Sequence, residues 1–424
     1  MKEKFTGYQC SVCQETYEPG EVVYTCPSDG GNLDVVLDYD SIWNTLSPER
    51  IADTDDTSIW RYLPLLPVQD PGHQGSPLRD VGWTPLYKPD RLAKKLGMKD
   101  FWLKDDGRNP TASFKDRASA VVIARAEQIK ADVVVTASTG NAGAALSGMA
   151  AAAGVPAVIL APKSAPKAKV AQLLIFGASV FLVDGTYDDA FDLTIEAADA
   201  FGWYCRNTGY NPFTAEGKKT AAFEICEQLS SAISAIDSPT GQWLSPDALF
   251  VSVGDGNIIS GLHKGFKDLH RLGWIPGVPR LYGIQSTGSA AITNAYSTGT
   301  EEIKPVRADT LADSIAVDLP RDGLRALRAA TQTGGAYLAV PDESILTAMR
   351  DLARDGGVFA EPAGATAYAG VIEAVEQGLV APQERVVVMN TGSGLKDIDA
   401  AMDAAGVATV IEPNLGALQA AIGN

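Results

Sequence analysis

The sequence predicts an α/β protein in which parallel sheets are covered by helices on both faces. Continuous apolar runs rich in β-branched residues recur from about residue 84 onward, which is typical of strands buried on both faces. Helical patterns lie between most of these runs, as in βαβ units. Segments rich in glycine and other small residues follow several of the runs, where parallel sheets bind their ligands.

The composition is that of a folded globular protein. The chain has 424 residues, of which 46% are hydrophobic and 21% charged, and these fractions exclude a disordered or collagen-like chain. At roughly 150 residues per domain, this length predicts about two to three domains. The formal net charge of −17 argues against non-specific binding to nucleic acids and against attraction to anionic membranes.

Three features predict a cytoplasmic protein. The N-terminus lacks the apolar segment of a signal peptide, and the charge-free stretch 133–162 is interrupted by Gly154 and Pro156, which disfavours a membrane-spanning helix. The chain has five cysteines, an odd number. Without a secretory leader, this number indicates a reducing compartment and favours metal binding over disulfides.

The first predicted unit is a small zinc-ribbon-like module over residues 1–40. Cys10 and Cys13 form a Cys-x-x-Cys pair, and Asp29 follows Cys26 at the same spacing. Three thiolates and one carboxylate can complete a tetrahedral zinc site. The alternative is a module without metal, held by apolar packing. The strands expected around the cysteines are residues 21–25 and 33–37.

The second unit, residues 41–83, is rich in proline and is predicted to be an irregular segment that wraps over the surface. The alternation of strands and helices follows it. The predicted strands are residues 133–136, 157–160, 180–183, 248–253, 281–285 and 386–389.

The segment 109–117 contains a lysine in an unusual position. Ser113 and Asp116 have the spacing of a capping box, which predicts that a helix begins here and that Lys115 lies in its first turn. The positive end of a helix disfavours an ammonium group and lowers the pKa of the lysine. Such a lysine can form a Schiff base with an aldehyde. The alternative is a solvated lysine beside a cap.

Three further loops follow predicted strands, and each could bind an anion or a polar ligand atom. The loop 136–143 offers backbone N–H groups and hydroxyls to a carboxylate or phosphate, and the loop 253–258 resembles a phosphate-binding nest. The loop 390–397 offers the neutral hydroxyl of Thr391. Each loop taken alone is equally compatible with a plain turn.

The four loops together fit a pyridoxal phosphate site. The loop 254–257 would hold the phosphate, Lys115 the aldehyde, Asn141 the ring hydroxyl and Thr391 the ring nitrogen. A hydroxyl at the nitrogen leaves the ring less protonated than a carboxylate would. This favours elimination or replacement over transamination.

The segment Asn-Pro-Thr-Ala-Ser-Phe-Lys-Asp-Arg that ends at Arg117 resembles the lysine motif of fold type II pyridoxal phosphate enzymes, and of threonine synthases in particular. The resemblance extends in the family's order over roughly residues 80–400. The other segments that resemble threonine synthases are residues 82–86, 211–225, 361–365 and 391–397.

The resemblance implies a two-domain, tryptophan synthase β-like fold. The catalytic core would span residues 84–400, with a smaller α/β subdomain, approximately 120–200, inserted in the larger one. Residues 401–424 would be a C-terminal extension. The expected partner, besides the small-molecule substrate, is a second copy of the chain in a homodimer.

The resemblance also implies the activity: conversion of O-phosphohomoserine, a phosphorylated amino acid, and water to threonine and phosphate by β,γ-elimination and replacement. Lys115 would be the catalytic residue. The expected cofactor-binding residues are Phe114, Lys115, Asn141, Gly254, Asp255, Gly256, Asn257, Ile258 and Thr391. The expected substrate-binding residues are Ser113, Ser138, Thr139, Gly140, Asn211 and Lys218.

At one position the chain departs from the family pattern. The segment Asn-Pro-x-Arg-x-Glu-Gly usually supplies an arginine for the substrate phosphate, and here that position is Thr214. A threonine cannot make the bidentate charged contact of an arginine. The residues that could compensate are Lys218, Lys104, Arg108 and Arg117.

Three alternatives to this activity therefore stay open. The first is a cysteate-synthase-like enzyme that uses O-phosphoserine and sulfite, and the second is a threonine or serine ammonia-lyase. The third is a catalytically silent regulatory protein with the same fold, although retention of Lys115, Asn141 and Thr391 argues against it.

Overall fold

A computed structural model describes residues 4–233 and 241–422. The strands are β1 (Phe5–Cys10), β2 (Thr16–Tyr17), β3 (Leu33–Leu37), β4 (Leu86–Tyr87), β5 (Asp100–Asp105), β6 (Val134–Ala137), β7 (Ala157–Pro162), β8 (Ser179–Val183), β9 (Tyr204–Cys205), β10 (Ala248–Ser252), β11 (Arg280–Ser286), β12 (Tyr337–Val340) and β13 (Arg385–Asn390).

Helices α1 to α15 are, in chain order, Tyr39–Thr45, Pro48–Ala52, Asp90–Leu96, Lys115–Gln128, Asn141–Ala153, Lys167–Ile175, Tyr187–Phe201, Phe213–Ala232, Asn257–Arg271, Ala291–Thr298, Gly323–Thr331, Asp342–Gly356, Pro362–Glu376, Ile398–Ala405 and Leu415–Ile422. None of the described helices is long and apolar enough to cross a membrane.

Two parallel sheets form the α/β architecture that the sequence predicts. The larger sheet has the order β12-β11-β10-β13-β5-β4, with only the edge strand β4 antiparallel. The smaller sheet, β8-β7-β6-β9, is parallel throughout. In the chain, the smaller sheet lies wholly between β5 and β10. Each of the six predicted core strands overlaps a strand of these sheets.

The N-terminal module is a three-stranded antiparallel sheet, β2-β1-β3. Residues 33–37 form a strand as predicted, but the strand expected at 21–25 is absent and only Thr25 makes an isolated bridge, to Asn32. Tyr24, within the expected strand, is partly buried against the core, and its ring stacks on Tyr210 at 4.6 Å between centroids.

The segment after the module is more ordered than the irregular wrapping segment that the sequence predicts. It contains α1, α2 and the 3-10 helices Ile59–Leu65 and Pro77–Asp80. Tyr62 is fully buried, and its ring packs edge-on against Phe223 of α8. These residues therefore contribute to the main core and do not merely cover it.

Candidate active site

A cavity of ≈ 480 Å³ lies where the carboxyl ends of the two parallel sheets meet. Its walls are segments that follow β6, β7 and β9 of the smaller sheet and β10 and β13 of the larger one. Twelve predicted site residues line it: Lys115, Ser138, Thr139, Gly140, Asn141, Lys218, Gly254, Asp255, Gly256, Asn257, Ile258 and Thr391. Three others do not: Ser113, Phe114 and Asn211.

Lys115 is the first residue of α4, as predicted, but the predicted capping box is wrong. Phe114 is the N-cap, and it makes no side-chain cap bond. The carboxylate of Asp116 instead accepts a hydrogen bond from the backbone N–H of Thr111 at 2.6 Å and another from its hydroxyl. The Ser113 hydroxyl is buried and forms no hydrogen bond within the described residues. Thr111 therefore binds the Asp116 carboxylate that the predicted capping box would have paired with Ser113.

Lys115 and Thr391 share the cavity because their two loops are paired. The backbone N–H of Phe114 donates to the carbonyl of Thr391 at 2.9 Å, and Ser113 forms an isolated bridge with Gly392. Burial lowers the pKa of Lys115; nearby Glu361 opposes this shift and Arg206 reinforces it. The local environment thus favours a neutral amine.

The loop before α5 brings small residues to the cavity wall. A side chain at Gly143 would place its Cβ 2.3 Å from the carbonyl oxygen of Ser138, so this close turn requires glycine. The side-chain amide of Asn141 donates to Glu361 Oε1 at 2.7 Å and to Ser314 Oγ at 3.4 Å. Asn141 is therefore held across the cavity mouth by residues outside its own loop.

The third predicted loop leads directly into α9, whose first residue is Asn257. Gly256 has φ +91°, and a Cβ there would lie 2.6 Å from the Cβ of Ala326. The backbone can follow this path because no side chain is present. The N-terminus of α9 then faces the cavity, where its free N–H groups and its dipole favour an anion.

Lys218 and Thr214 lie beneath this helix N-terminus, on α8. The Lys218 ammonium donates to Asn257 Oδ1 at 2.6 Å. Burial, and then the nearby cations Arg206 and Lys115, hold the pKa of Lys218 well below its ordinary value. The Thr214 hydroxyl donates to the carbonyl of Asn211 at 2.7 Å, a bond within the protein.

Arg206 is a cavity residue that the sequence analysis did not identify. It follows β9 and is fully buried. Its Nη1 donates to Thr208 Oγ1 at 2.6 Å, whereas Nη2 has no partner within the described residues. Burial lowers its pKa to about 10. The available signal was its position, directly after a strand end, where parallel sheets bind ligands.

Glu361 is a second residue for which the sequence predicted no role. It is the N-cap of α13 and is buried beside a smaller cavity of ≈ 20 Å³ that adjoins the first. Burial raises its pKa, and the charges of Lys115 and Lys396 partly offset that rise.

The four residues that could have compensated for Thr214 have different environments. Lys218 lines the cavity, whereas Arg108 is exposed and is not part of the cavity wall. Lys104 and Arg117 are fully buried and both form ion pairs with Glu224. Their charges are therefore already neutralised within the protein.

The predicted site residues outside the cavity support its walls. Asn211 donates its amide to the carbonyl of Cys205 at 2.8 Å and accepts a hydrogen bond from the backbone N–H of Phe213 at 2.9 Å. Phe114 is fully buried under the start of α4. The four predicted metal ligands, Cys10, Cys13, Cys26 and Asp29, form a separate cluster in the N-terminal module.

The residues of the cavity fit pyridoxal phosphate. Lys115 presents an amine with a lowered pKa, and Gly256 shapes an anion-binding helix N-terminus. The buried Nη2 of Arg206 still requires an acceptor. An aldehyde, a phosphate and a second anion would each find a matching group here.

Comparisons with known proteins agree with this interpretation. Residues 78–392 match the family described as pyridoxal-phosphate dependent enzyme. A threonine synthase of Methanocaldococcus jannaschii is 38% identical, over 97% of this chain and 98% of that protein. A threonine synthase of Methanosarcina acetivorans is also 38% identical, over 98% of each chain.

Solved structures confirm the fold. Processed threonine deaminase isoform 2 of Solanum lycopersicum has a TM-score of 0.65 at 24% identity, covering 82% of this chain and 89% of that one. O-ureido-L-serine synthase has a TM-score of 0.64 at 19% identity, covering 82% and 99%. From these matches and the site geometry, the chain belongs to the pyridoxal-phosphate dependent enzymes of fold type II and, among them, to the threonine synthase family.

Proposed function

We propose that the protein is a threonine synthase that converts O-phosphohomoserine and water to threonine and phosphate. One observation carries the proposal: Arg206 and Lys218 are buried basic side chains that line the same cavity as Lys115, and neither contacts a carboxylate within the described residues. A buried charge without a counterion is costly. A substrate that carries a phosphate dianion supplies that counterion.

The cofactor would be held by four elements of the cavity. Lys115 would bind its aldehyde carbon, the helix N-terminus at residues 254–258 its phosphate, Asn141 its ring hydroxyl and Thr391 its ring nitrogen. Pyridoxal phosphate supplies an electron sink for the carbon that bears the substrate amine. The neutral hydroxyl of Thr391 leaves the ring nitrogen unprotonated, which favours elimination and replacement.

Lys115 would be the proton carrier. Burial lowers the pKa of this amine, which makes its neutral form easier to reach than that of an exposed lysine. Lys115 Nζ would remove a proton from the substrate Cα and another from Cβ, so that phosphate can leave from Cγ with the electrons of the C–O bond. The same atom would return one proton to Cγ before water adds at Cβ and another to Cα afterwards. The proton released by the added water balances the one that the departing phosphate takes up. Residues 138–141 would hold the substrate carboxylate with their N–H groups and hydroxyls.

Arg206 and Lys218 would bind the leaving phosphate in place of the family's arginine. The Nη2 of Arg206 is the free donor, and the Lys218 ammonium can donate further hydrogen bonds beyond the one to Asn257. The hydroxyl of Thr214 donates to the backbone of its own turn. The charge that position 214 lacks would thus come from the end of β9 and from the next turn of α8.

The domain division is also a proposal: a module over 1–40, a packed segment over 41–83, a core over 84–400 and an extension over 401–424. Support comes from the smaller sheet, β6 to β9, which the chain inserts between β5 and β10. The subdomain expected at approximately 120–200 contains most of that sheet. The homodimer and the cytoplasmic location stay predictions.

The activity is tested by offering three substrates separately to the purified, cofactor-loaded enzyme. We expect O-phosphohomoserine to give equal amounts of phosphate and threonine. Cysteate from O-phosphoserine and sulfite, or 2-oxobutyrate from threonine, at a higher rate than this reaction would overturn the proposal. Borohydride reduction followed by peptide mapping should label Lys115, and the Lys115→Ala variant should lose the label and the activity together.

A further inference from the structure

The cysteine cluster, Cys10, Cys13, Cys26 and Asp29, lies outside the active site and has no part in the proposed reaction. The four ligand atoms all lie within 4.8 Å of one another. Cys10 Sγ is 3.4 Å from Asp29 Oδ1, and Cys13 Sγ is 3.7 Å from Cys26 Sγ. All of these cysteines are free thiols, and the second separation is far longer than a disulfide bond of about 2.05 Å.

Two of these separations match those of a tetrahedral metal site. With Zn–S distances of about 2.3 Å and Zn–O distances of about 2.1 Å, adjacent ligand atoms of a tetrahedron lie roughly 3.5–3.8 Å apart. The distances between Cys10 and Asp29 and between Cys13 and Cys26 agree with these values. Thiolates select zinc over magnesium or calcium.

The backbone builds the cluster from two turns. In the first, the N–H of Val12 donates to Cys10 Sγ at 3.3 Å. In the second, the N–H of Gly31 donates to Asp29 Oδ1 at 2.8 Å. A side chain at Gly31 would place its Cβ 2.8 Å from Cys10 Sγ, so glycine keeps the space between the two turns open for the ligand atoms.

We propose that the cysteine cluster binds one zinc ion through three thiolates and one carboxylate, and that this ion fixes the N-terminal module against the wall of the active site. Four protein ligands make a closed site, which is typical of structural zinc. Asp29 takes the place that a fourth cysteine has in a ribbon with two Cys-x-x-Cys pairs.

The module contacts the active-site wall through two side chains that lie near the cluster in the sequence. The Tyr24 hydroxyl accepts a hydrogen bond from the N–H of Cys205 at 2.8 Å, one residue before Arg206. Asn32 donates its amide to the carbonyl of Gly209, and to that of Arg321 at 3.2 Å. Loss of zinc would therefore loosen the segment that positions Arg206.

The first test is the metal content of the full-length chain, measured by mass spectrometry after gel filtration. We expect about one zinc per chain in the wild type. Cys13→Ser and Asp29→Ala should each lose most of the metal. Asp29→Cys, which restores a four-thiolate set, should retain it. Cys226→Ser, a matched change of a buried cysteine outside the cluster, should also retain it.

Wild-type protein that holds no zinc, even after refolding with zinc sulfate, would overturn the proposal. So would full retention of zinc in Cys13→Ser. If the variants fail to fold, the wild type is treated with a chelator instead. Removal of the metal should then make residues 1–40 sensitive to limited proteolysis, whereas unchanged protection would refute the structural role.

The effect of zinc on the active site rests on the proposed function. The Asp29→Ala variant should raise the KM for O-phosphohomoserine several-fold with little change in kcat or in bound cofactor, because only the segment of Arg206 loosens. Metal content and proteolysis do not depend on turnover. An inactive wild type that holds zinc would therefore refute the activity and not the metal site.

Discussion

Two groups of buried charge in this protein differ in how their partners are supplied. The first, which we call the structural ion network, consists of Lys104, Asp106, Arg117 and Glu224. All four side chains are fully buried, and Lys104 Nζ lies 2.7 Å from Glu224 Oε2. Arg117 binds Asp106 at 2.6 Å and Glu224 at 2.5 Å. Every cation of the network has a carboxylate partner.

The second group consists of the basic side chains Lys115, Arg206 and Lys218 of the cavity, and it has no such partners within the described residues. Lys218 donates to an amide oxygen, and Arg206 to hydroxyls. Burial lowers the pKa of all three, and it also lowers that of Lys104 in the network. The network differs in its other members: Asp106 and Glu224 raise the pKa of Arg117, and Arg117 and Lys104 lower that of Glu224 to about 2, in both cases against burial. Charges paired within the chain stabilise the fold, and unpaired ones indicate where ligand anions bind.

The largest expected effect comes from breaking the network. Glu224→Gln keeps the shape of the side chain but leaves Lys104 and Arg117 short of one negative charge. Loss of one partner of a buried ion pair costs about 3–5 kcal/mol, so the free energy of unfolding in urea should fall by that amount. Arg206→Gln is the control and should cost less than about 1 kcal/mol, because no ion pair is lost. Equal losses of unfolding free energy in the two variants would contradict the view that only the structural ion network stabilises the fold.

In catalysis, we expect the larger effect at Arg206, which lines the cavity, although Glu224→Gln has the larger effect on stability. Hydrogen bonds to charged groups are worth about 1.5–3 kcal/mol, so Arg206→Gln should lower kcat/KM for O-phosphohomoserine by roughly 10- to 150-fold, chiefly through KM. Arg206→Lys keeps the charge but loses the planar guanidinium, so its kcat/KM should lie between those of the wild type and Arg206→Gln.

The matched control for this kinetic prediction is Arg108→Gln, because Arg108 is exposed and outside the cavity wall. Its kcat/KM should stay within about twofold of the wild-type value, as expected of a surface change. A KM for Arg206→Gln equal to that of wild type would show that the basic side chains of the cavity do not bind the substrate phosphate.

The assembly of the cavity was predictable from the sequence because the topology is parallel. Asn141, Gly254 and Thr391 each lie just after a strand of continuous apolar residues. The carboxyl ends of parallel strands share one edge of a sheet. The parallel topology alone therefore predicts that the loops after these strands lie close together. The capping box at Ser113 failed because the backbone N–H and hydroxyl of Thr111 occupy the carboxylate of Asp116.

What could not be predicted depends on contacts between distant parts of the chain. Strand β5 was missed because Lys104 and Asp105 interrupt its apolar pattern, and Lys104 is tolerated there only through Glu224, 120 residues away. Arg206 was missed for the same reason. Arg206 is buried with no carboxylate partner within the described residues, whereas Arg117 is buried against two carboxylates. Nothing in the sequence near either arginine distinguishes these two environments.

The smallest expected effect concerns His263, a buried group that belongs to neither set of charges. Burial in α9, and secondarily the charge of Lys267, lower its pKa from 6.5 to about 3, while Asp34 opposes the shift. Because the unfolded chain binds the proton more readily, this histidine destabilises the fold as the pH falls from 6.5 toward 3.

Between about pH 7.5 and pH 5.5, the wild type should therefore lose about 1.4 kcal/mol more unfolding free energy than His263→Gln, which cannot titrate. His270→Gln is the matched control, since His270 lies on the same helix but is exposed. That variant should follow the wild type across the pH series. If the unfolding free energy of His263→Gln showed the same pH dependence as that of the wild type, His263 would bind a proton in the folded protein about as readily as in the unfolded chain. Its burial in α9 would then not be enough to keep it neutral.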